Sequence, residues 1–285
     1  MKIGVSSYSF SQYLKIGRLD LISVIRKAAD MGFEAIEYTD LPKGESEDRM
    51  ALAKQIKAEA AICGLELSAY VVGGSLLCET PEAQQAEVKR LKGELEIAAA
   101  LGVKMFRYDV VRKIPLHRSF ESVLEEVVPA MRQIAEYGVS LGIRTMIENH
   151  GYAFQDYDRI EKIYATVGHD NFGLLLDNGN FLCADQDNVM CMSRLANLAC
   201  HVHLKDFRIF DYYSGRDEKG CFKTRACNLL MGTAVGYGDA KTAQCLSILK
   251  EAGYDGYVDI EFEGPEDCVA ELEKGLKFCR EFLRS

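Results

Sequence analysis

The chain has 285 residues, 48% of them hydrophobic, and a formal net charge of -9. That length allows one large core and suits an α/β barrel of roughly 250 residues. The negative charge repels nucleic-acid phosphates and sets a nucleic-acid partner aside, and with no run of about 18 apolar residues no membrane span is expected.

In chain order, KIGVSSY (2–8) predicts a strand, LDLISVIRKAADMG (19–32) an amphipathic helix, and FEAIEYTD (33–40) a second strand. A helix follows over 46–63, then the strand LELSAYVV (65–72). Residues 80–101 read as helix, with Thr80 as N-cap and Pro81 in the first turn. VKMFRYDV (103–110) is the fourth strand, 119–141 a helix, IRTMIEN (143–149) the fifth strand, and 157–167 a helix. FGLLLDN (172–178) is the sixth strand, 186–197 a shorter helix, and CHVHLKD (200–206) the seventh strand. Residues 240–252 are helical, YVDIEFE (257–263) is the eighth strand, and 266–283 closes the chain as a helix.

Several helices end on a glycine directly before a strand: MGFEAIE, CGLELSA, LGVKMFR, LGIRTMI. Glycine there suits the left-handed cap that turns a helix back toward a sheet. Strands alternating with helices predict parallel pairing, and eight such units predict a closed (β/α)8 TIM barrel rather than an open doubly wound sheet. No linker or composition break divides the chain, so residues 1–285 read as one domain. One connection is disproportionate. Residues 207–238 form an extended loop after the seventh strand, on the face where barrel enzymes place their sites. Its glycines, GTAVGYG, do not follow a strand in the dinucleotide-binding manner.

Active sites of such barrels stand at the C-terminal strand ends. The fifth strand ends in Glu148, Asn149 and His150, and the sixth in Asp177, Asn178, Gly179 and Asn180. The seventh carries His201, His203, Lys205 and Asp206, and the eighth Asp259, Glu261 and Glu263. Alternation puts Glu148 on the face of Met146, Asp177 on that of Leu175, and His201, His203 and Lys205 together. Unpaired carboxylates and imidazoles facing inward are costly. A divalent cation held by one of these histidines and three of the carboxylates relieves that cost. One histidine with three carboxylates favours Mn2+, Mg2+ or Co2+, with Zn2+ possible. The alternative is a ring of buried ion pairs with Arg107 and Lys205 as partners.

None of the ten cysteines forms a CxxC pair and most sit in apolar stretches, which fits buried, reduced thiols. No signal peptide is read at MKIGVSSYSF, so a cytoplasmic location is expected.

GFEAIEY, IENHG, LLLDNGN, HVHLKD and AGYDGYVDIEFEG together resemble the xylose isomerase-like superfamily of sugar isomerases and epimerases, along essentially the whole chain. The resemblance implies metal ligation by Glu148, Asp177, His203 and Glu261. In the ketose 3-epimerase branch it also implies acid–base roles for Glu148 and Glu261, which exchange a proton with one carbon from opposite faces. That branch generally has a histidine three residues after the sixth-strand aspartate, where this chain has Asn180. A dimer or tetramer is implied by resemblance alone.

Candidate substrate contacts are Glu37, Arg107, His150, Asn180 and Lys205. For Glu37 the alternative is an ion pair within the rim, and for Arg107 a structural salt bridge. Asp206 reads equally as a loop cap, and His201 as packing under His203 or orienting it. His117 and His169 read as surface residues. Arg208, Arg216 and Lys223 in the long loop read as solvated charges, with an anionic substrate group as the alternative. The leading function is a metal-dependent isomerase or epimerase acting on a sugar or sugar phosphate. Its close alternative is a lyase of the inosose dehydratase type, which shares the first proton abstraction. Abasic-site endonucleases of the same superfamily use three zinc ions and many more histidines than the five present here. A non-catalytic sugar-binding barrel is the remaining alternative.

Overall fold

Eight parallel strands close into a barrel: β1 (Lys2–Ser6), β2 (Ala35–Thr39), β3 (Glu66–Val72), β4 (Met105–Tyr108), β5 (Arg144–Glu148), β6 (Phe172–Asp177), β7 (Ala199–Leu204) and β11 (Tyr257–Ile260). This computed structural model describes residues 1–212 and 217–284, without the side chains of Ser46 and Glu47. Neighbours follow chain order, and β11 closes on β1 through Lys2 opposite Tyr257 and Gly4 opposite Asp259. That closure rules out the open sheet. The helices are α1 (Ser11–Lys15), α2 (Ser23–Met31), α3 (Ser46–Cys63), α4 (Pro81–Leu101), α5 (Phe120–Leu141), α6 (Tyr157–Val167), α7 (Asn180–Cys183), α8 (Asn188–Leu195), α9 (Thr242–Glu251) and α10 (Cys268–Arg284).

The helix ends follow their local chemistry. Thr80 accepts the Ala83 N–H at the start of α4, and at its end Gly102 adopts φ +83 while its N–H returns to the carbonyls of Ala98 and Ala99. The helix expected from residue 19 begins at Ser23, because the Asp20 carboxylate takes the N–H groups of Ile22 and Ser23 first. The short helices α1 and α7 stand where the sequence reading placed no helix. Of the cysteines expected to be buried, Cys191, Cys245, Cys268 and Cys279 are, whereas Cys227 is exposed.

The main core lies between barrel and helices, with Phe10, Tyr38, Tyr70, Phe106 and Phe172 among its largest members. A second, small group of Ala69, Val71, Met146 and Leu175 packs separately. Met146 and Leu175 precede Glu148 and Asp177 by two positions, so these carboxylates stand on an apolar floor.

The expected long loop is largely structured. β8 (Asp206–Phe210), β9 (Phe222–Lys223) and β10 (Leu229–Thr233) form a separate antiparallel sheet in the order β8-β10-β9. Asp206 caps this excursion. Its carboxylate accepts the N–H groups of Gly236 (2.8 Å) and Ala240 (3.0 Å) and the Thr242 hydroxyl (3.2 Å). Arg208 is exposed and Lys223 pairs with Glu218, as solvated charges do, while Arg216 lies outside the described residues.

β10 runs tight against the segment after β11. A Cβ built on Gly232 would lie 1.5 Å from the Glu263 carbonyl oxygen and 2.9 Å from the Gly264 Cα. Both obstacles are backbone, so neither can swing aside. Gly232→Ala is expected to destabilise the protein by at least the about 1–3 kcal/mol typical of overpacking. Urea unfolding measures it, and an unchanged midpoint would contradict this close approach.

Candidate metal centre

Glu148 ends β5, Asp177 ends β6, and His203 lies opposite Asp177 in the β6–β7 ladder. The eighth barrel strand was expected to run to residue 263 but stops at Ile260. There the Phe262 N–H turns to the Ser9 hydroxyl, while Glu261 still donates its N–H to the Leu204 carbonyl. Glu261 is thereby held one residue past β11. One ligand atom from each of Glu148, Asp177, His203 and Glu261 lies within 4.8 Å of the others.

Each side chain is aimed. Asp177 Oδ1 accepts the N–H groups of Gly179 (2.8 Å) and Asn180 (2.9 Å), while its buried Oδ2 has no hydrogen-bond partner. His203 Nε2 donates to Glu37 Oε2 at 2.7 Å. The other ring nitrogen, Nδ1, is buried without a hydrogen bond and lies 3.6 Å from both Glu148 Oε1 and Glu261 Oε2. A carboxylate holding one imidazole nitrogen while the other faces a centre is the arrangement around metal-bound histidines.

The expected cationic partners are also present. Arg107 Nη2 lies 2.8 Å from Glu148 Oε2 and 2.5 Å from Asp109 Oδ1. Lys205 Nζ lies 2.9 Å from Glu261, 3.3 Å from Glu263 and 3.5 Å from Asp177. Ion pairing therefore accounts for part of the ring. It leaves Asp177 Oδ2 and His203 Nδ1 without hydrogen bonds, and such buried atoms are costly. A hard divalent cation where the four side chains meet would partner both, and the donor set of one imidazole and three carboxylates fits it.

Protonation follows the charges. Burial alone would raise Glu148, but the Arg107 guanidinium and then His203 hold it well below the usual carboxylate range. Burial likewise works against Glu261, yet Lys205 and His203 bring it to about 2. Asp177 goes the other way. Burial, reinforced by Glu148 and Glu261 against the opposing Lys205, raises it to about 6.

Beneath the centre lies a second polar layer. Glu37 is wholly buried, and His201 Nε2 lies 3.5 Å from it and 2.9 Å from Asp259 Oδ2, which also accepts the Ser68 hydroxyl at 2.6 Å. Glu37 thus pairs with His203, the ion-pair alternative weighed for it, and is not among the residues lining the mouth. His201 packs beneath His203, their ring centroids 5.8 Å apart. Asn180 is also buried, donating to Glu148 Oε1 (2.8 Å) and lying 3.3 Å from Lys205 Nζ, so it bridges two site residues.

Arg107, His150 and Lys205 do line the mouth, a cavity of about 380 Å³ that also touches Tyr8, Asp109, Glu148, Glu261 and Glu263. His150 Nδ1 lies 3.0 Å from Asp109 Oδ1. His117 is exposed, and His169 pairs with Glu136 away from the site. The sequence singles out neither Asp109 nor Tyr8, and it places two asparagines at strand ends without a role. Asn149 exchanges two hydrogen bonds with the Asp177 backbone (2.8 and 2.9 Å), and Asn178 Oδ1 takes the Lys205 N–H at 2.9 Å. Their signal was available: each asparagine directly follows a site carboxylate at a strand end.

The profile of the xylose isomerase-like TIM barrel family matches residues 25–284. The chain belongs to the xylose isomerase-like TIM barrel family. An inosose dehydratase of Mesomycoplasma hyopneumoniae strain J is 27% identical over 169 residues, 56% of this chain and 54% of that protein. The chain thus spans about half the length of the first curated relatives it matches. The structure of the IOLI protein with a bound zinc atom superposes with a TM-score of 0.78 at 17% identity, covering 99% of this chain and 98% of that one. D-psicose 3-epimerase from Clostridium cellulolyticum H10, with D-tagatose, gives a TM-score of 0.76 at 16% identity over 99% of each chain. At these identities the two structures share the fold with this chain. Among the described residues no helix is long and apolar enough to cross a membrane.

Proposed function

We propose that residues 1–285 act as one domain, a divalent-metal-dependent isomerase or epimerase of a sugar or sugar phosphate that removes a proton next to a carbonyl. The observation that carries this reading is the pair of glutamates flanking one centre. Glu148 and Glu261 come from barrel positions separated by β6 and β7, and each lies 3.6 Å from His203 Nδ1. Glu148, Asp177, His203 and Glu261 would hold the cation, with Mn2+, Mg2+ or Co2+ favoured. When bound, it supplies Lewis-acid polarisation where charge develops on substrate oxygens.

The chain's own groups do the rest. Glu148 and Glu261 are both ionised at neutral pH, so either can accept the α-proton and the other can return one. Two carboxylates on opposite sides of one carbon give epimerisation; one carboxylate moving the proton between adjacent carbons gives isomerisation. Arg107 and Asn180 fix the rotamer of Glu148 through its two oxygens. Lys205 offers a buried ammonium to a substrate oxygen, and His150 contacts substrate at the mouth.

Dehydration is the second reading. It is favoured by the inosose dehydratase relatives and by the Lys205 ammonium beside Glu261 and Glu263, where a leaving hydroxyl could take a proton. Both readings share the first step. A panel of ketoses, ketose phosphates and inososes in D2O with Mn2+ tests it by NMR. Deuterium at the α-carbon is expected, with the epimer or isomer as product; loss of water selects the lyase. No exchange with any member would overturn both.

Metal binding should release protons. Burial opposes a charge on His203, but Glu37 and Glu261 raise its pKa well above the ordinary value, so the metal-free protein carries a proton there at neutral pH. A ligand must lose its proton to bind. Both His203 and Asp177 have raised pKa values, so Mn2+ affinity is expected to rise with pH, with release of about one proton at pH 7. Calorimetry in two buffers of different ionisation enthalpy reads this directly. Identical binding enthalpies would count against ligation by His203.

A further inference from the structure

A second chamber adjoins the mouth. It encloses about 330 Å³ and shares Tyr8 and Glu263 with the metal-side cavity of about 380 Å³. Each chamber sits near the small end of the about 300–1,000 Å³ range of ligand pockets. Side by side, with two residues in common, they form a bipartite cleft.

The walls of the second chamber are aromatic. Tyr8 is 40% exposed and Phe222 41%, and Phe262 and Pro265 add apolar surface to a lining that also includes Ser9, Ser11 and Gln12. Phe222 is delivered by β9 of the excursion, its ring 6.0 Å from that of buried Phe207 in an edge-to-face contact. Tyr8 and Glu263 line both chambers, and Glu263 in turn lies 3.3 Å from Lys205. A path of fixed side chains therefore runs from the metal-side cavity to the aromatic wall. The charged lining, among the described residues, is Glu263 and Lys15. That balance disfavours a phosphate. Flat aromatic faces with a polar edge suit the C–H face of a neutral sugar ring, gained through dispersion and burial of apolar area.

We infer that the second chamber is a subsite for a second sugar ring, so that the substrate class is a glycosylated ketose rather than a free monosaccharide. This rests on the proposed reading that the first chamber takes the ketose. The cleft then holds the reacting unit over Glu148 and Glu261 and the neighbouring ring between Tyr8 and Phe222.

The test compares D-fructose with isomaltulose, a disaccharide that keeps a fructose unit, by titration calorimetry on the Mg2+-loaded full chain. Isomaltulose is expected to bind at least about tenfold tighter, the factor that about 1.4 kcal/mol represents. The ratio of the two dissociation constants should fall toward one in Phe222→Ala and be kept in Phe222→Trp. Phe222 is half-exposed, so neither variant threatens the core. Isomaltulose binding no tighter than fructose, including binding of neither, overturns the subsite; so does a preference that survives Phe222→Ala. The proposed function stands or falls separately, on deuterium exchange.

Discussion

His203→Ala is expected to abolish tight binding of Mn2+ while leaving the barrel folded. The imidazole contributes the one nitrogen of the proposed set, and its Nδ1 is the atom both glutamates approach. Removing it leaves three carboxylates with less to hold them together against one another. Glu37→Gln provides the graded comparison. The amide keeps the size and an acceptor oxygen but loses the negative charge that fixes the Nε2–H of His203. Loss of such an outer partner costs about 10–100-fold in metal affinity, and His203→Ala should exceed that. Calorimetry gives both affinities, and circular dichroism shows whether the fold survives. If His203→Ala binds Mn2+ as wild type does, the four-residue centre is wrong.

The second large effect belongs to Arg107→Met. Arg107 is buried and is the cation that holds Glu148 ionised. Without it a carboxylate remains buried beside Glu261 and Asp177. Breaking a buried pair from one side costs about 3–5 kcal/mol, so the metal-free variant should be less stable by that order. The sign with pH is fixed. In the variant, burial raises the Glu148 pKa above its unfolded value, and the deficit grows as pH climbs past that unfolded value toward neutrality. In the wild type the folded pKa is depressed, and its contribution is lost only as pH falls through that low value. Mn2+ supplies the missing positive charge, so added metal should recover more stability in the variant than in the wild type. Thermal melts at pH 5 and pH 8, with and without Mn2+, measure all of this. A metal-independent deficit would show that Arg107 matters by packing alone.

The barrel was legible because its signals are local and repeated. Glycine before a strand, as at Gly102, marks four of the returns into the sheet, and the alternation of Met146 with Glu148 reveals which face is inward. The four converging side chains were legible for the same reason, since each stands at the C-terminal end of a barrel strand or, like His203 and Glu261, one residue from it. What escaped the sequence depends on partners distant in the chain. Glu37 reads as a rim residue until His203 is found above it, 166 positions away. The eighth strand looks continuous to residue 263 until Ser9 claims the amide of Phe262. The excursion gives no strand period because β9 has two residues and its pairing to β10 spans a turn.

Asp206 ties both ends of that excursion at one carboxylate, while Asn149 and Asn178 lace β5, β6 and β7 together beneath it. These fastenings divide the labour between inheritance and novelty. The laced strand ends resist drift, because moving one ligand drags its neighbours. The tethered excursion can change length and lining between its knots without disturbing the chemistry below. In descendants of this chain, new substrates should be written into residues 207–238 long before the proposed cation site changes.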